Sequence, residues 1–332
     1  MPYLTANSRF TVLSPDGRGI EMSYISSAEI KLSVRDLGGS ALVVIPREYQ
    51  TLQPLPGLTK ESLYNYIRVG YRVKLELGYD GQYNAEFTGY IRKIESGWPV
   101  KLHLDDDLYP FKHGDILTKS WVSTTLMSVL SYILPEYKID CPDLNLSAGW
   151  QINRQSRYSA LQDLKQQIGF YARIDTDNKC AYCYWPYSFR VFDRHKYVFG
   201  VNVKKNNLTY NRKEDTKLRI NAVAPSKNGK KIRITVGSND NDARVISRNF
   251  NYVSSESELK RLADKELQTI SYDGYQGSIT GYGLPRTMPG DSLQIIDDRE
   301  LDREGVYLID SVQIRYGSDT GYERINQLSY RL

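Results

Sequence analysis

The chain has 332 residues, 40% hydrophobic and 25% charged, proportions ordinary for a globular protein with room for two or three domains. Its 44 basic and 39 acidic side chains leave a net charge of +5 with the signs interspersed, too small a bias to argue for nucleic acid. No run of about 18 apolar residues exists to span a membrane, and Met1-Pro2-Tyr3-Leu4-Thr5 lacks the charged and apolar segments of a signal peptide.

The region before Leu104 reads as β. Phe10–Leu13, Glu29–Val34 and Ala41–Ile45 are short strand candidates bounded by Gly, Pro and Asp, and Gln53–Gly57 is an extended loop. Gly70–Leu77 and Phe87–Ile94 form a hairpin, and Val100–Leu104 alternates cleanly before Asp105-Asp106-Asp107. The middle third changes period. Ser123 is placed to cap a helix with Leu126, Val129, Leu130, Ile133 and Leu134 on one face. Ser159-Ala160-Leu161-Gln162 has capping-box form, with Leu161, Leu164 and Ile168 on one face before Gly169. Strands Phe170–Ile174 and Cys180–Trp185 follow. The last third returns to β. Leu218–Ala224 and Lys231–Val236 flank Asn228-Gly229, a hairpin signal, and a helix at 255–270 buries Leu259, Leu262, Ala263, Leu267 and Ile270. The strand Gly277–Gly283, a second Gly-started hairpin and the closing strand Ile325–Leu332 complete the pattern, and the composite is α+β, mostly β.

The two Gly-started hairpins read as copies. Gly70 and Gly290 are 220 positions apart, and Ile91 and Ile309 are 218 apart. Each copy is an alternating strand, a charged turn and a return strand with an aromatic and β-branched residues. A chain that builds one β-unit twice presents two equivalent faces, which suits a partner of higher symmetry. Tyrosine, with 27 residues against 8 Phe, suits sheet surfaces and interfaces that stay partly wet.

Catalytic and metal patterns are sparse. There is no Gly-x-Ser-x-Gly elbow, phosphate-binding loop or His-Glu-x-x-His helix, and no cofactor is expected. Cys180 and Cys183 have the spacing of half a zinc site. No second pair follows, only His195 and Cys141 remain as recruits, and residues three apart on a strand face opposite ways, so they are weak metal candidates. Three thiols and no leader point to a reducing compartment. Asp105-Asp106-Asp107 reads as a solvated turn after a strand, and Asp240-Asn241-Asp242 lacks the Gly and distant Glu of a calcium loop. The basic hairpin Lys227–Arg233 lacks interleaved aromatics, so only weak, salt-sensitive association with DNA is expected. A structural or binding protein therefore stands ahead of an enzyme. The alternative is a protein that binds or hydrolyses cell-wall or surface glycans, motivated by the tyrosines and by Trp98, Trp121, Trp150 and Trp185.

From Ser255 onward the sequence also carries Gly281-Tyr282-Gly283-Leu284-Pro285, then Met288-Pro289-Gly290-Asp291, then Gly305-Val306-Tyr307-Leu308-Ile309-Asp310-Ser311-Val312 and Gly321-Tyr322-Glu323-Arg324-Ile325. This pattern resembles the baseplate hub proteins of contractile-tailed phages, including the late control gene D group and the amino-terminal part of type VI secretion spike proteins. The resemblance covers most of the chain in outline. It implies two tube-like β-barrel domains, at 1–110 and 204–332, flanking a middle α+β domain at 111–203, with the helix 255–270 inserted in the second barrel. It implies a homotrimer that adapts a six-fold tail tube to a three-fold spike around a DNA channel, with Gly70, Ile91, Gly290 and Ile309 at repeated positions. The partners so implied are the tail tube protein, a separate spike protein, since the sequence ends at Leu332 without a needle, and other baseplate proteins. The implied location is the virion tail baseplate, after synthesis in the bacterial cytoplasm. The family has no catalytic residues to carry over.

Overall fold

The computed structural model describes residues 4–49, 61–62, 64, 66–146, 149–212, 217–225, 230–271, 273–300 and 304–332. The Gln53–Gly57 loop and the Asn228-Gly229 hairpin tip lie outside these residues. The first third gives β1 (Ala6–Leu13), β2 (Gly19–Met22), β3 (Ser27–Ser33), β4 (Ser40–Ile45), β5 (Glu48–Tyr49), β6 (Glu61–Ser62), β7 (Arg72–Tyr79), β8 (Gln82–Glu95) and β9 (Val100–Asp106). Next come α1 (Tyr109–His113), β10 (Ile116–Trp121), β11 (Thr124–Thr125), α2 (Leu126–Ile133), β12 (Lys138–Asp140), β13 (Asn145–Leu146), β14 (Trp150–Ser156) and α3 (Arg157–Ile168). β15 (Tyr171–Asp175), β16 (Cys180–Tyr184), β17 (Arg194–Val198) and β18 (Val203–Asn211) lead into β19 (Leu218–Pro225), β20 (Lys231–Gly237) and β21 (Arg244–Asn249). The chain closes with α4 (Glu256–Ile270), β22 (Gly274–Tyr282), β23 (Ser292–Ile296), β24 (Gly305–Gly317) and β25 (Gly321–Arg331).

The helices form where the apolar stripes place them, with their caps shifted. Thr125, not Ser123, caps α2 by accepting the Ser128 N–H, and Ser156, not Ser159, caps α3 by accepting the Ser159 N–H. Gly169 ends α3 in the left-handed conformation, at φ 83°. Ser255 stands at the α4 N-cap without a side-chain capping bond. Among the described residues no helix is long and apolar enough to cross a membrane.

Thirteen strands join in one sheet, ordered β18-β22-β25-β24-β3-β4-β9-β8-β7-β1-β2, with β23 and β17 branching from β24. Every pair on that path is antiparallel; β17 joins β23 in parallel. The long strand β24 makes the union. Its first half, Gly305–Leu308, lies against β23, and past an irregularity at Ile309 its second half, Ser311–Gly317, lies against β3. The two expected tube-like barrels are therefore not seen as closed units. Among the described residues no barrel closes, because the half of β24 that extends beyond its short hairpin partner takes β3 as a neighbour instead of leaving its backbone unpaired.

The cores divide the chain differently from the expected boundaries. One core draws on both ends of the sequence, with Phe10, Ile30, Leu75 and Ile91 meeting Ile279, Leu293, Ile309 and Leu328. A second holds α2, α3, β15 and β16, and it also takes Ile220, Ala222, Val236, Tyr252, Leu259 and Leu262, while Val34, Phe189 and Leu308 form a small third cluster. Residues 218–225 and 230–263 thus pack with the middle region rather than with the rest of 204–332, because α4 lays its apolar stripe on β19 and β20. Tyr252 fastens this segment by donating its hydroxyl to the Ile168 carbonyl at 3.0 Å. Conversely β17, inside the expected middle domain, pairs with β23 of the main sheet.

Candidate functional site: a buried charged junction

The first and last thirds of the chain are bolted together by an ion pair in the main sheet. Glu86 lies on β8 and Arg324 on β25, both side chains fully buried, with Arg324 Nη2 2.7 Å from Glu86 Oε2. That contact lacks an aligned N–H, so it is an ion pair rather than a hydrogen bond. The second carboxylate oxygen accepts the Tyr322 hydroxyl at 2.7 Å. The guanidinium donates to the carbonyls of Gly283 at 3.2 Å and Thr287 at 2.7 Å. Arg286 stands 3.5 Å from Glu86 Oε1 and donates to the Ala85 carbonyl at 2.6 Å. Burial disfavours charge on Arg324, but Glu86 and Tyr322 outweigh it and hold the guanidinium above its ordinary value. Burial, and then the Glu86 carboxylate, push the Tyr322 phenol up, so it stays a donor.

The register explains why Glu86 points inward. Leu75 faces Phe87 and Glu76 faces Ala85, which leaves Glu86 as the extra residue of a bulge. A bulge breaks the two-residue alternation and re-aims a side chain. Glu86 and Phe87 are accordingly both buried although adjacent. Gly283 serves the same site, since a Cβ there would lie 2.1 Å from the Tyr322 ring. The motif Gly281–Pro285 was legible in the sequence. Glu86, Tyr322 and Arg324 as partners were not, because their pairing depends on a bulge and on strands from opposite ends of the chain. Nothing local marked them, since Arg324 stands among Glu323, Asn326 and Gln327, and β8 carries Asn84, Arg92 and Lys93 besides Glu86.

Gly70 with Ile91 and Gly290 with Ile309 have matching backbone hydrogen bonds. Gly70 N–H donates to the Ile91 carbonyl at 2.8 Å and Ile91 N–H to the Tyr71 carbonyl at 3.0 Å; Gly290 N–H donates to Ile309 at 2.8 Å and Ile309 N–H to Asp291 at 2.8 Å. Both glycines have positive φ, 86° and 94°. Their surroundings differ. An added Cβ at Gly70 meets nothing within 4 Å, whereas at Gly290 it would meet Phe189 at 2.8 Å and Phe192 at 3.2 Å. Asp291, after the second Gly, is buried and accepts the Met288 N–H at 2.8 Å beside His195 Nε2 at 3.0 Å and Arg173 at 3.5 Å. It ties the Pro289–Gly290 turn to β15 and β17. Next to Ile309, the Asp310 carboxyl is fully buried against Arg35, and burial raises its pKa despite that cation.

Asp105-Asp106-Asp107 is not a solvated turn. Asp105 is 5% exposed and pairs with Arg92 at 2.9 Å and Lys112 at 2.6 Å. Asp106 accepts the N–H groups of Gly39 at 2.5 Å and Leu108 at 3.1 Å, and burial pushes its pKa up to about 6. Asp107 accepts the hydroxyls of Thr88 at 2.7 Å and Thr176 at 3.3 Å. The three carboxylates are used up in joining β9 to β8, to α1 and to the middle core. Among the described residues no group of three or more His, Cys, Asp or Glu is arranged to hold a metal. Cys183 is fully buried and Cys180 half-buried on the other face of β16, and burial raises the Cys183 thiol. Lys231 and Arg233 of the basic hairpin are exposed on β20.

No family model and no curated protein matches the sequence. Solved structures do match it along nearly its whole length. A tail protein from Neisseria meningitidis covers 98% of this chain and 96% of its own at 13% identity, with a TM-score of 0.65. The 43 kDa tail protein of prophage MuSo2 from Shewanella oneidensis covers 98% of each chain, again at 13% identity and a TM-score of 0.65. The chain has the fold of phage tail proteins. An Escherichia coli protein, described as a component of the type VI secretion system with structural similarity to the T4 tail proteins gp27 and gp5, covers 93% of this chain and 76% of its own at 10% identity and a TM-score of 0.53.

Proposed function

We propose that this protein is a structural hub of a contractile phage tail or a related injection system, a homotrimer seated between the six-fold tail tube and a three-fold spike and enclosing part of the DNA channel. The observation that carries the reading is the whole-chain likeness to tail proteins, which leaves no further segment of this sequence to account for. Two features fit it. The turns at Gly70 and Gly290 repeat one backbone pattern, so three copies of the chain would offer six such turns to a six-fold partner. Among the described residues the strand path of the joined sheet also ends in two edges paired on one side only, β18 and β2. Pairing the first edge of one copy with the second edge of the next is a head-to-tail contact, which must close into a ring or run on as a filament. The role is mechanical rather than catalytic. Its partners are the tail tube protein, a separate spike protein and neighbouring baseplate proteins, at the virion tail baseplate.

The test is multi-angle light scattering of the purified chain over a concentration series, alone and co-expressed with the tube and spike proteins of its own gene neighbourhood. A mass of three copies, alone or bound to the spike, is expected. A stable dimer in both conditions would overturn the proposal.

A further inference from the structure

A cleft of about 1070 Å³ runs between the face of β18, β22 and β25 and the opposing wall made by the end of α3, β21 and α4. Six carboxamides converge on it: Gln166 and Gln167 from α3, Asn207 from β18, Asn249 from β21, Gln276 from β22 and Gln327 from β25. Five of them are exposed and Gln327 is half-buried, and none spends its amide on a hydrogen bond to another described residue. The register arrays the floor. Asn207 lies opposite Ser278, which lies opposite Gln327, while Thr209 lies opposite Gln276. Polar side chains therefore recur about every 4.8 Å across the strands and about 7 Å along them, on one face. Among the described lining residues the charges are already matched, Arg248 with Glu266 and Arg35 with Asp310. Tyr171 and Tyr330 line the same cleft, half-buried, and offer ring surface for stacking.

The chemistry of this lining selects its ligand. Each carboxamide presents donors and an acceptor side by side, and a sugar hydroxyl is itself donor and acceptor. A phosphate or an acidic chain would need uncompensated cations, which the paired arginines do not supply. An extended peptide would add to a free strand edge, yet β22, at the centre of the floor, is paired on both sides, and only the outer edge of β18, at the margin of the floor, is open. We propose that this cleft binds a neutral oligosaccharide. The inference goes beyond the hub reading and would stand if that reading failed.

The test is isothermal titration of the full-length chain with cellotetraose, maltotetraose and chitotetraose at millimolar concentrations. Saturable binding of at least one is expected. Gln276→Ala with Gln327→Ala on the floor, and Gln166→Ala with Gln167→Ala on the opposite wall, should each weaken it about tenfold or more while leaving melting temperature and solution mass unchanged. The inference is overturned if none of the three sugars saturates, if binding survives both pairs of substitutions, or if an acidic oligosaccharide or an unstructured peptide binds in preference at the same amides.

Discussion

Replacing Arg324 by Met tests whether the Glu86–Arg324 pair holds the two ends of the chain together. The substitution keeps apolar bulk but leaves Glu86 charged and fully buried and removes the donors to the Gly283 and Thr287 carbonyls. Removing one partner of a buried ion pair costs about 3–5 kcal/mol. For 332 residues, at roughly 2.1 cal/mol/K of unfolding entropy per residue, that is a fall in melting temperature of roughly 4–7 °C if the molecule unfolds as one unit. Glu86→Gln should cost a comparable amount, because it leaves the guanidinium unpaired. The double variant is decisive. With both charges gone, the loss should be well below the sum of the two single losses, since the uncompensated charge is what each single variant suffers from. Differential scanning calorimetry of the four proteins in one buffer measures the cycle. Single variants each within about 1 kcal/mol of the parent, or a double variant that loses the full sum, would refute the reasoning.

Gly70→Ala and Gly290→Ala should separate backbone strain from crowding. Both place an L side chain at positive φ, for about 1 kcal/mol, but only Gly290→Ala drives a methyl into Phe189, so it should lose a further ~1–3 kcal/mol of stability and melt lower; equal losses would contradict this. Asp106 predicts a pH signature. Its folded pKa of about 6 lies above the ordinary 3.8, so its charge burdens the fold above about pH 6, and that burden is relieved as pH falls towards the unfolded value. Denaturant titrations of parent and Asp106→Asn should therefore differ by an amount that moves roughly 2 kcal/mol in favour of the parent between about pH 7.5 and about pH 4, and a flat difference would show that the carboxyl is not burdened. Thiol labelling of the native chain should modify Cys180 and leave Cys183 protected until unfolding, as mass spectrometry of digests would read; prompt labelling of Cys183 would contradict its burial.

Local periodicity determined the elements. The stripe Leu126, Val129, Leu130, Ile133 of α2 and the stripe of α4 are visible in sequence because a helix buries every third or fourth residue whatever it packs against. The Gly-started hairpins at 70–94 and 290–312 were legible for the same reason, since alternation and turn chemistry act over a few residues. Caps were misplaced by two or three positions, because Thr125 and Ser156 compete with nearby hydroxyls of equal intrinsic preference and only the backbone angles choose between them. Tertiary structure decided everything that needed a distant partner. The pairing of β24 with β3, which merges the expected barrels into one sheet, joins residues 311–317 to 27–33, and no local pattern carries that register. Whether 218–225 and 230–263 belong with the middle or the end depended on which apolar face α4 covered. The bulge that turns Glu86 inward and the burial of Asp105 arise because long-range packing withdrew water from carboxylates and supplied arginine, lysine and backbone N–H groups in its place, so charges that read as surface in the sequence became the fastenings of the interior.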